Sequence, residues 1–373
     1  MKTRAAVLEA MGAATPYAES KPLKIDTLDL EDPGYGEVLV KVEAAGLCHS
    51  DLSVINGDRP RPTPMALGHE ASGSIEKVGP GVDTLKKGDH VVMVFVPSCG
   101  HCLPCAEGRP ALCEPGAVAN TAGTLLSGAR RLSRRGESVN HHLGVSAFAE
   151  YATVSQRSCI RIDPELPFEQ AALFGCAVLT GVGAVVNTAK VEPGSSTAVI
   201  GLGGVGLASL LGAVLAGASR IVAVDLSDEK LELAKSLGAT DVFNAKSATP
   251  EEIREATSGG VHYAFEMAGS VRAMDLAYRI TRRGGTTVTA GLPPPTHTFA
   301  LPQVNLVAEE RTVKGSYIGT CVPARDLPRY IALFRQGRLP VDRLMSGRLS
   351  LDEINVGFDR LHEGKAVRQV IAF

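Results

Sequence analysis

The stretch Thr197–Asp225, TAVIGLGGVGLASLLGAVLAGASRIVAVD, decides the fold. Thr197–Ile200 is a short β-branched, apolar run, and Gly201, Gly203, Gly204 and Gly206 follow it at once. Leu207–Ala218 is apolar nearly all round, as a helix packed on a sheet is. Ile221–Val224 reads as the next buried strand, with Asp225 at its end. Glycines in this pattern also occur in ordinary strand-to-helix turns. Strand before, helix after and an acid about 20 residues further on predict a dinucleotide-binding unit instead. In that reading Gly201 makes the sharp turn, Gly203 lets backbone N–H groups approach a pyrophosphate, and Gly206 lets helix and strand pack closely. The helix N-terminus offers unpaired N–H groups and the positive end of its dipole to the phosphates. Asp225 stands where an acid bonds the adenosine ribose. A carboxylate there repels a 2′-phosphate, and the next residue is Leu226 rather than Arg, so NAD is expected over NADP.

At 373 residues the length suggests two domains. The Gly-rich unit lies in the second half, so the first half needs a fold of its own. A net charge of −2 gives no electrostatic case for nucleic acid or for an anionic membrane. The N-terminus, MKTRAAVLEA, meets Glu9 too early for a secretory signal. The longest apolar stretches, Ala171–Val186 and Leu207–Ala218, are Gly-punctuated and shorter than a bilayer needs. A cytoplasmic location is expected. The eight cysteines then read as metal ligands or buried thiols rather than disulfides.

The first half reads as β-rich. Gly36–Val42 and Ala71–Val78 alternate apolar and polar residues, Asp89–Val94 is a further strand, and Gly and Pro punctuate them. CGHCLPCAEGRPALC then puts thiols at Cys99, Cys102, Cys105 and Cys113. Two-residue gaps let successive thiolates reach one ion, and four sulfurs close a tetrahedron, so a structural zinc lobe is expected. An iron–sulfur cluster is the rival, because its ligand spacings overlap. His101 is expected to be exposed and not a ligand. Upstream, GLCHSDL brings Cys48, His49, Ser50 and Asp51 together, and Gly68-His69-Glu70 follows. Taken singly, Cys48 is a buried thiol and His69 a satisfied histidine. With Cys176 of Phe174-Gly175-Cys176 they make two thiolates and one imidazole, which leave a fourth tetrahedral position open for catalysis. Spacing alone does not bring the three together. Residues 114–145 are poorly patterned, and Arg130, Arg131, Arg134 and Arg135 are expected in a solvated loop. Of His141 and His142, one is expected buried and one exposed, since neighbours in an extended chain point apart.

From Gly181 strands and helices alternate: a helix over Asp228–Leu237, a strand from Asp241, strands His262–Met267 and Gly285–Gly291 with helix Val271–Thr281 between them, and a last strand over Thr312–Ile318. This alternation means a parallel sheet with right-handed crossovers. Helices over Asp326–Arg335 and Asp352–His362 and a strand over Arg368–Phe373 complete the chain.

With GLCHSDL, GHE, the four-cysteine run, FGC and GLGGVG in this order, the chain resembles the zinc-dependent alcohol dehydrogenases of the medium-chain dehydrogenase/reductase superfamily, essentially from end to end. The resemblance implies an α/β protein. A discontinuous catalytic domain, 1–177 plus 321–373, would have a GroES-like β-barrel and carry the zinc lobe at 95–115. A Rossmann domain with a doubly wound parallel sheet would span 178–320, with the active site in the cleft between them. Cys48, His69 and Cys176 would hold a catalytic zinc and Cys99, Cys102, Cys105 and Cys113 a structural one. Glu70 and Asp51 would stand behind the ligands, Asp51 orienting the His69 ring. Gly201, Gly203, Gly204, Gly206, Asp225, Lys230 and Leu292 would line the NAD site, with Val205 against the nicotinamide and His49 and Arg368 at the pyrophosphate. Phe95 would wall the substrate pocket.

The implied activity is interconversion of small alcohols and aldehydes or ketones by hydride transfer, Ser50 taking the hydroxyl proton, in a homodimer or tetramer. One departure stands out: many members carry a relay His where this chain has Ser53. Two other readings compete. A glutathione-dependent formaldehyde dehydrogenase would want a basic residue just after Cys113, where the chain reads Glu114-Pro115-Gly116-Ala117. A non-catalytic nucleotide-binding protein would not need Cys48, His69, Cys176 and Ser50 intact.

Overall fold

The Gly-rich stretch forms strand Ser196–Ile200, helix Gly204–Leu215 and strand Arg220–Asp225. The helix starts earlier than its apolar run, because the last glycines form its first turn. A Cβ on Gly206 would lie 1.8 Å from Gly201 O, so only glycine lets this helix leave the strand so tightly. A Cβ on Gly203 would meet nothing within 4 Å, so this turn faces open space. Six parallel strands build the sheet, in the order Asp241–Asn244, Arg220–Asp225, Ser196–Ile200, Val261–Glu266, Thr281–Thr289 and Thr312–Gly315. Numbered along the chain this order is 3-2-1-4-5-6, the doubly wound arrangement. The order reverses between Ser196–Ile200 and Val261–Glu266, and the Gly-rich turn leaves the sheet there. Ala198, Ile200, Val222, Val224 and Ala264 form the core on one face with Ala273, Ala277 and Ile280 of helix Val271–Ile280.

The computed structural model describes residues Met1–Phe373 and divides into two compact units. One is Met1–Cys176 with Val322–Ile331 and Met345–Phe373; the other is Ala177–Cys321 with Ala332–Leu344. Ala332–Leu344 thus goes with the Gly-rich unit, where Arg343 donates to Ser236 O at 3.0 Å. No single helix is long and apolar enough to cross a membrane. All eight cysteines are free thiols.

The first unit is β-rich. Strands Lys2–Leu8, Leu23–Leu30, Leu132–Arg134, Glu137–His141 and Met65–Ala66 close a small barrel. Ala5, Val7, Leu28, Leu30, Leu132, Val139 and Ala149 fill it. A second sheet runs Cys159–Ile162, His90–Met93, Ala71–Val78, Glu37–Gly46, Arg368–Ala372 and Met345–Leu349, with Tyr151–Ser155 also paired to Glu37–Gly46. The C-terminal strand therefore returns to lie beside the strand that leads into Cys48.

Residues 114–145 are not the solvated loop their composition predicts. They form helix Glu114–Ala122 and the two barrel strands Leu132–Arg134 and Glu137–His141. Two of the arginines that suggest solvation, Arg131 and Arg134, are taken up by acids. Arg131 Nε lies 2.9 Å from Glu37 Oε2 and its Nη1 2.9 Å from Glu31 Oε2. Arg134 pairs with Glu9 and, at 3.1 Å, with Asp26. Arg130 is exposed but donates its Nε to Asn140 Oδ1, and Arg135 stands exposed in the turn. The hairpin is too short and too charged for a periodic signal; its partners lie about a hundred residues away in sequence.

His141 and His142 correct the sequence reading in a second way. They do point apart, but both destinations are interior, each 1% exposed. His141 Nε2 accepts the Arg131 N–H at 3.0 Å, so the ring must stay neutral. Burial, with Arg130 and Arg131 adding to it, pushes its pKa down to about 3 from 6.5. The unfolded chain takes up this proton first, so the stabilising contribution is full above about pH 6.5 and declines as pH falls toward 3. The slope is about 1.4 kcal/mol per pH unit. Between pH 6.5 and pH 5, urea unfolding is expected to show wild type losing about 2 kcal/mol more than His141→Gln. An equal loss in both proteins would show that His141 is protonated in the fold.

Candidate metal centre and nucleotide site

Three separate chain segments deliver one donor each. Cys48 follows strand Glu37–Gly46 in extended conformation (φ −131°, ψ 151°) and caps helix His49–Ile55. His69 follows Gly68, whose φ of +96° and closeness to the Phe148 backbone exclude any side chain. Cys176 ends the short helical turn Leu173–Gly175. The Cys48 and Cys176 sulfurs and a His69 ring nitrogen all lie within 4.8 Å of one another, and all three residues are buried. His69 Nε2 is buried with no hydrogen-bond partner in the protein. Two thiols and an orphaned imidazole nitrogen, shut away from water, form a donor set that fits zinc with one position left over.

The proton chemistry of the pair agrees. Cys48 is held well below the usual thiol range, first by hydrogen bonding with Cys176, with burial opposing and Arg368 and His69 assisting. One thiolate thus forms readily, as a metal ligand must. Behind the donors, Asp51 Oδ2 lies 3.0 Å from His69 Nδ1. Glu70 is fully buried, its Oε2 3.3 Å from Arg368 Nη1. Burial raises the Glu70 pKa to about 7, with Arg368 opposing and Cys48 adding to the rise. Arg368 Nη1 also donates to Leu47 O at 3.0 Å. His49 is exposed and Ser50 half-buried on the first turn of helix His49–Ile55. Ser53 Oγ donates to His49 O at 2.9 Å, the i to i−4 backbone contact common for helical serine. Phe95 is 8% exposed and meets the His69 ring edge-on, centroids 5.2 Å apart.

The four-cysteine lobe is equally compact. The sulfurs of Cys99, Cys102, Cys105 and Cys113 all lie within 4.8 Å of one another. Backbone N–H groups point at them: Cys99 N and Gly116 N at Cys113 Sγ (3.1 and 3.4 Å), Cys102 N at Cys99 Sγ (3.3 Å). Burial pushes the Cys99 thiol up, but N–H donation from His101 and Cys102 outweighs it and brings its pKa to about 6. A closed set of four sulfurs fits a structural tetrahedral ion. His101 is exposed, with Nδ1 against Cys99 O.

In the second unit, Asp225 ties the Gly-rich turn to the end of its strand. Its carboxylate accepts from Leu202 N at 2.6 Å and Ser227 N at 3.0 Å. Ser227 caps helix Asp228–Ser236, and Lys230 lies half-buried in its first turn. Val205 is half-buried at the start of helix Gly204–Leu215, and Leu292 is 51% exposed beyond strand Thr281–Thr289. The sequence reading misses Glu266, which is 1% exposed at the end of its strand. It accepts from Ala268 N and Gly269 N at 2.8 and 2.6 Å and from Thr289 Oγ1 at 2.8 Å, fixing the turn beside Gly201. It also misses His142, which stands 3.1 Å from Asp51 Oδ1; the only signal was the paired histidines themselves.

The sequence model of the alcohol dehydrogenase GroES-like domain matches residues 34–164, and that of the zinc-binding dehydrogenase matches residues 204–336. An alcohol dehydrogenase zinc-binding domain protein from Burkholderia ambifaria is 36% identical, with a TM-score of 0.94 over 100% of this chain and 99% of that one. Benzyl alcohol dehydrogenase from Acinetobacter calcoaceticus is 35% identical, with a TM-score of 0.93 over the same shares. A zinc-binding dehydrogenase from Sinorhizobium meliloti 1021, bound to NADP, is 25% identical with a TM-score of 0.80 over all of both chains. The chain therefore belongs to the zinc-dependent alcohol dehydrogenases of the medium-chain dehydrogenase/reductase superfamily. It is an oxidoreductase with a GroES-like domain and a Rossmann-type domain.

Proposed function

We propose that this protein is an NAD-dependent alcohol dehydrogenase that interconverts small alcohols, aromatic primary alcohols foremost, with their aldehydes. The observation that carries the reading is the convergence of Cys48, His69 and Cys176 in one buried cluster with no fourth protein ligand among them. Cys48, His69 and Cys176 would hold one zinc, and Cys99, Cys102, Cys105 and Cys113 a second, structural one. Bound zinc supplies a Lewis acid for the substrate oxygen, and NAD supplies the hydride acceptor. Ser50 takes the hydroxyl proton; Asp51 orients His69, and Glu70 stands behind the donors. Phe95 walls the substrate pocket, which suits an aryl ring, and the similarity to a benzyl alcohol dehydrogenase supports that choice.

Gly201, Gly203, Gly204, Val205, Gly206, Lys230 and Leu292 line the cofactor, with His49 and Arg368 toward its pyrophosphate. Asp225 selects NAD, because its carboxylate repels a 2′-phosphate. With Asp225→Asn, the ratio of kcat/KM for NAD over NADP is expected to fall about tenfold or more, as removal of a close like-charge repulsion implies. An unchanged ratio would place cofactor selection elsewhere. The eight free thiols fit a reducing, cytoplasmic setting. The exposed edge strand Thr312–Gly315 is the natural seam of a homodimer.

The test is a substrate panel read by absorbance of the reduced nicotinamide. It holds short, long and benzylic alcohols, and formaldehyde with and without glutathione. Turnover of benzylic alcohols without glutathione is expected. Turnover confined to formaldehyde with glutathione would overturn the proposal.

A further inference from the structure

Asp51 is a fully buried carboxylate with three nitrogen atoms close around it. Its Oδ2 lies 3.0 Å from His69 Nδ1, and its Oδ1 lies 3.2 Å from Gly68 N and 3.1 Å from His142 Nδ1. A carboxylate only accepts, so at these distances the proton that either ring can share with Asp51 is its Nδ1–H. His69 is thereby left with a bare Nε2, the form a metal requires. The His69 ring is also caught edge-on from two sides, by His142 (centroids 5.6 Å, 87°) and by Phe95 (5.2 Å, 87°).

The backbone is bent to deliver His142. Leu143 (φ 51°) and Ser146 (φ 53°) are left-handed without being glycine, and Gly144 (φ 67°) lies between them. The turn is closed by His142 N to Ser146 Oγ (2.9 Å) and Ser146 N to His142 O (3.2 Å). Strain of this kind persists where the surroundings over-determine it, and it clusters at functional sites.

We infer that His142 is a positioning residue for the metal centre: by holding Asp51 Oδ1 it aims Oδ2 at His69 and so fixes the orientation and tautomer in which His69 meets zinc. The inference rests on Cys48, His69 and Cys176 binding zinc, as proposed above. Without His142, the Gly68 N–H alone restrains Oδ1, and the carboxylate is free to turn away from His69.

Zinc release from the purified protein to 4-(2-pyridylazo)resorcinol tests this. Three proteins are compared: wild type, His142→Phe, which keeps a ring and drops the donor, and His142→Asn, which offers an amide N–H near the place of Nδ1. The zinc assigned to Cys48, His69 and Cys176 is expected to leave His142→Phe about 10- to 100-fold faster than wild type, the usual effect of losing an outer-shell partner. It is expected to leave His142→Asn at close to the wild-type rate. The zinc of the four-cysteine lobe leaves all three alike and serves as the internal control. Equal release from wild type and His142→Phe overturns the inference, as does His142→Asn releasing as fast as His142→Phe. Should His142→Phe fail to fold, His142→Ala replaces it against His142→Asn with the same two outcomes. A wild-type protein holding only the lobe zinc overturns the zinc reading itself, and the role of His142 with it.

Discussion

Ser50→Ala protein is expected to keep both zinc ions and its affinity for NADH, and to oxidise benzyl alcohol about a thousandfold more slowly. Proton removal by a positioned side chain contributes roughly 10²–10⁴-fold. Ser50 is the hydroxyl next to the metal centre in sequence, two residues after Cys48 and half-buried on the first helical turn. Its loss removes the first acceptor without touching a ligand or the Gly-rich turn. Ser53 Oγ donates its own proton to His49 O at 2.9 Å. In the proposed mechanism the Ser50 proton accordingly leaves through water or another group. Near-normal turnover of Ser50→Ala, measured with NADH binding by fluorescence titration, would remove Ser50 from the reaction.

Cys176→Ala has the larger expected effect. Zinc content is expected to fall from two to one per chain, and alcohol oxidation by at least about a thousandfold, since the metal's charge stabilisation is worth several kcal/mol. Cys176 sits on a short helical turn whose neighbours Leu173, Phe174 and Ala177 are fully buried, so removing one sulfur leaves that packing in place. The far-ultraviolet dichroism and the four-cysteine lobe are expected to persist. Retention of two zinc ions, measured by atomic emission, would show that the second ion binds elsewhere.

Much of this was legible in the sequence, for physical reasons that differ from part to part. The Rossmann-type unit is read from local rules. Period and length separate helix from buried strand, and the steric demand for glycine at Gly206 is absolute, with a would-be Cβ 1.8 Å from Gly201 O. The four-cysteine lobe is local too, since Cys99–Cys113 is a single short segment. The cluster of Cys48, His69 and Cys176 is not local. Residue chemistry suggested it and resemblance assembled it; only the fold brings its sulfurs and ring nitrogen within 4.8 Å.

What the sequence concealed lies in charge and strain. The run Arg130, Arg131, Arg134 and Arg135 looks solvated because its acids, Glu37, Glu31, Glu9 and Asp26, are remote in sequence. Alternation leads one to expect either His141 or His142 in water, because it assumes that one face of a strand is wet, and at His141–His142 neither is. Glu266 carries no motif at all, and its role follows from three backbone and side-chain donors that the turn supplies.

Zinc-dependent hydride transfer tests the proposed activity directly. Purified protein is mixed with NAD and benzyl alcohol and the reduced nicotinamide followed by absorbance. The assay is repeated after dialysis against dipicolinate and again after zinc is returned. Steady reduction of NAD is expected, with its loss on chelation and its recovery when zinc is returned. Undiminished turnover after the Cys48–His69–Cys176 zinc is gone, or no turnover by zinc-replete protein with NAD or NADP, would contradict the proposed activity.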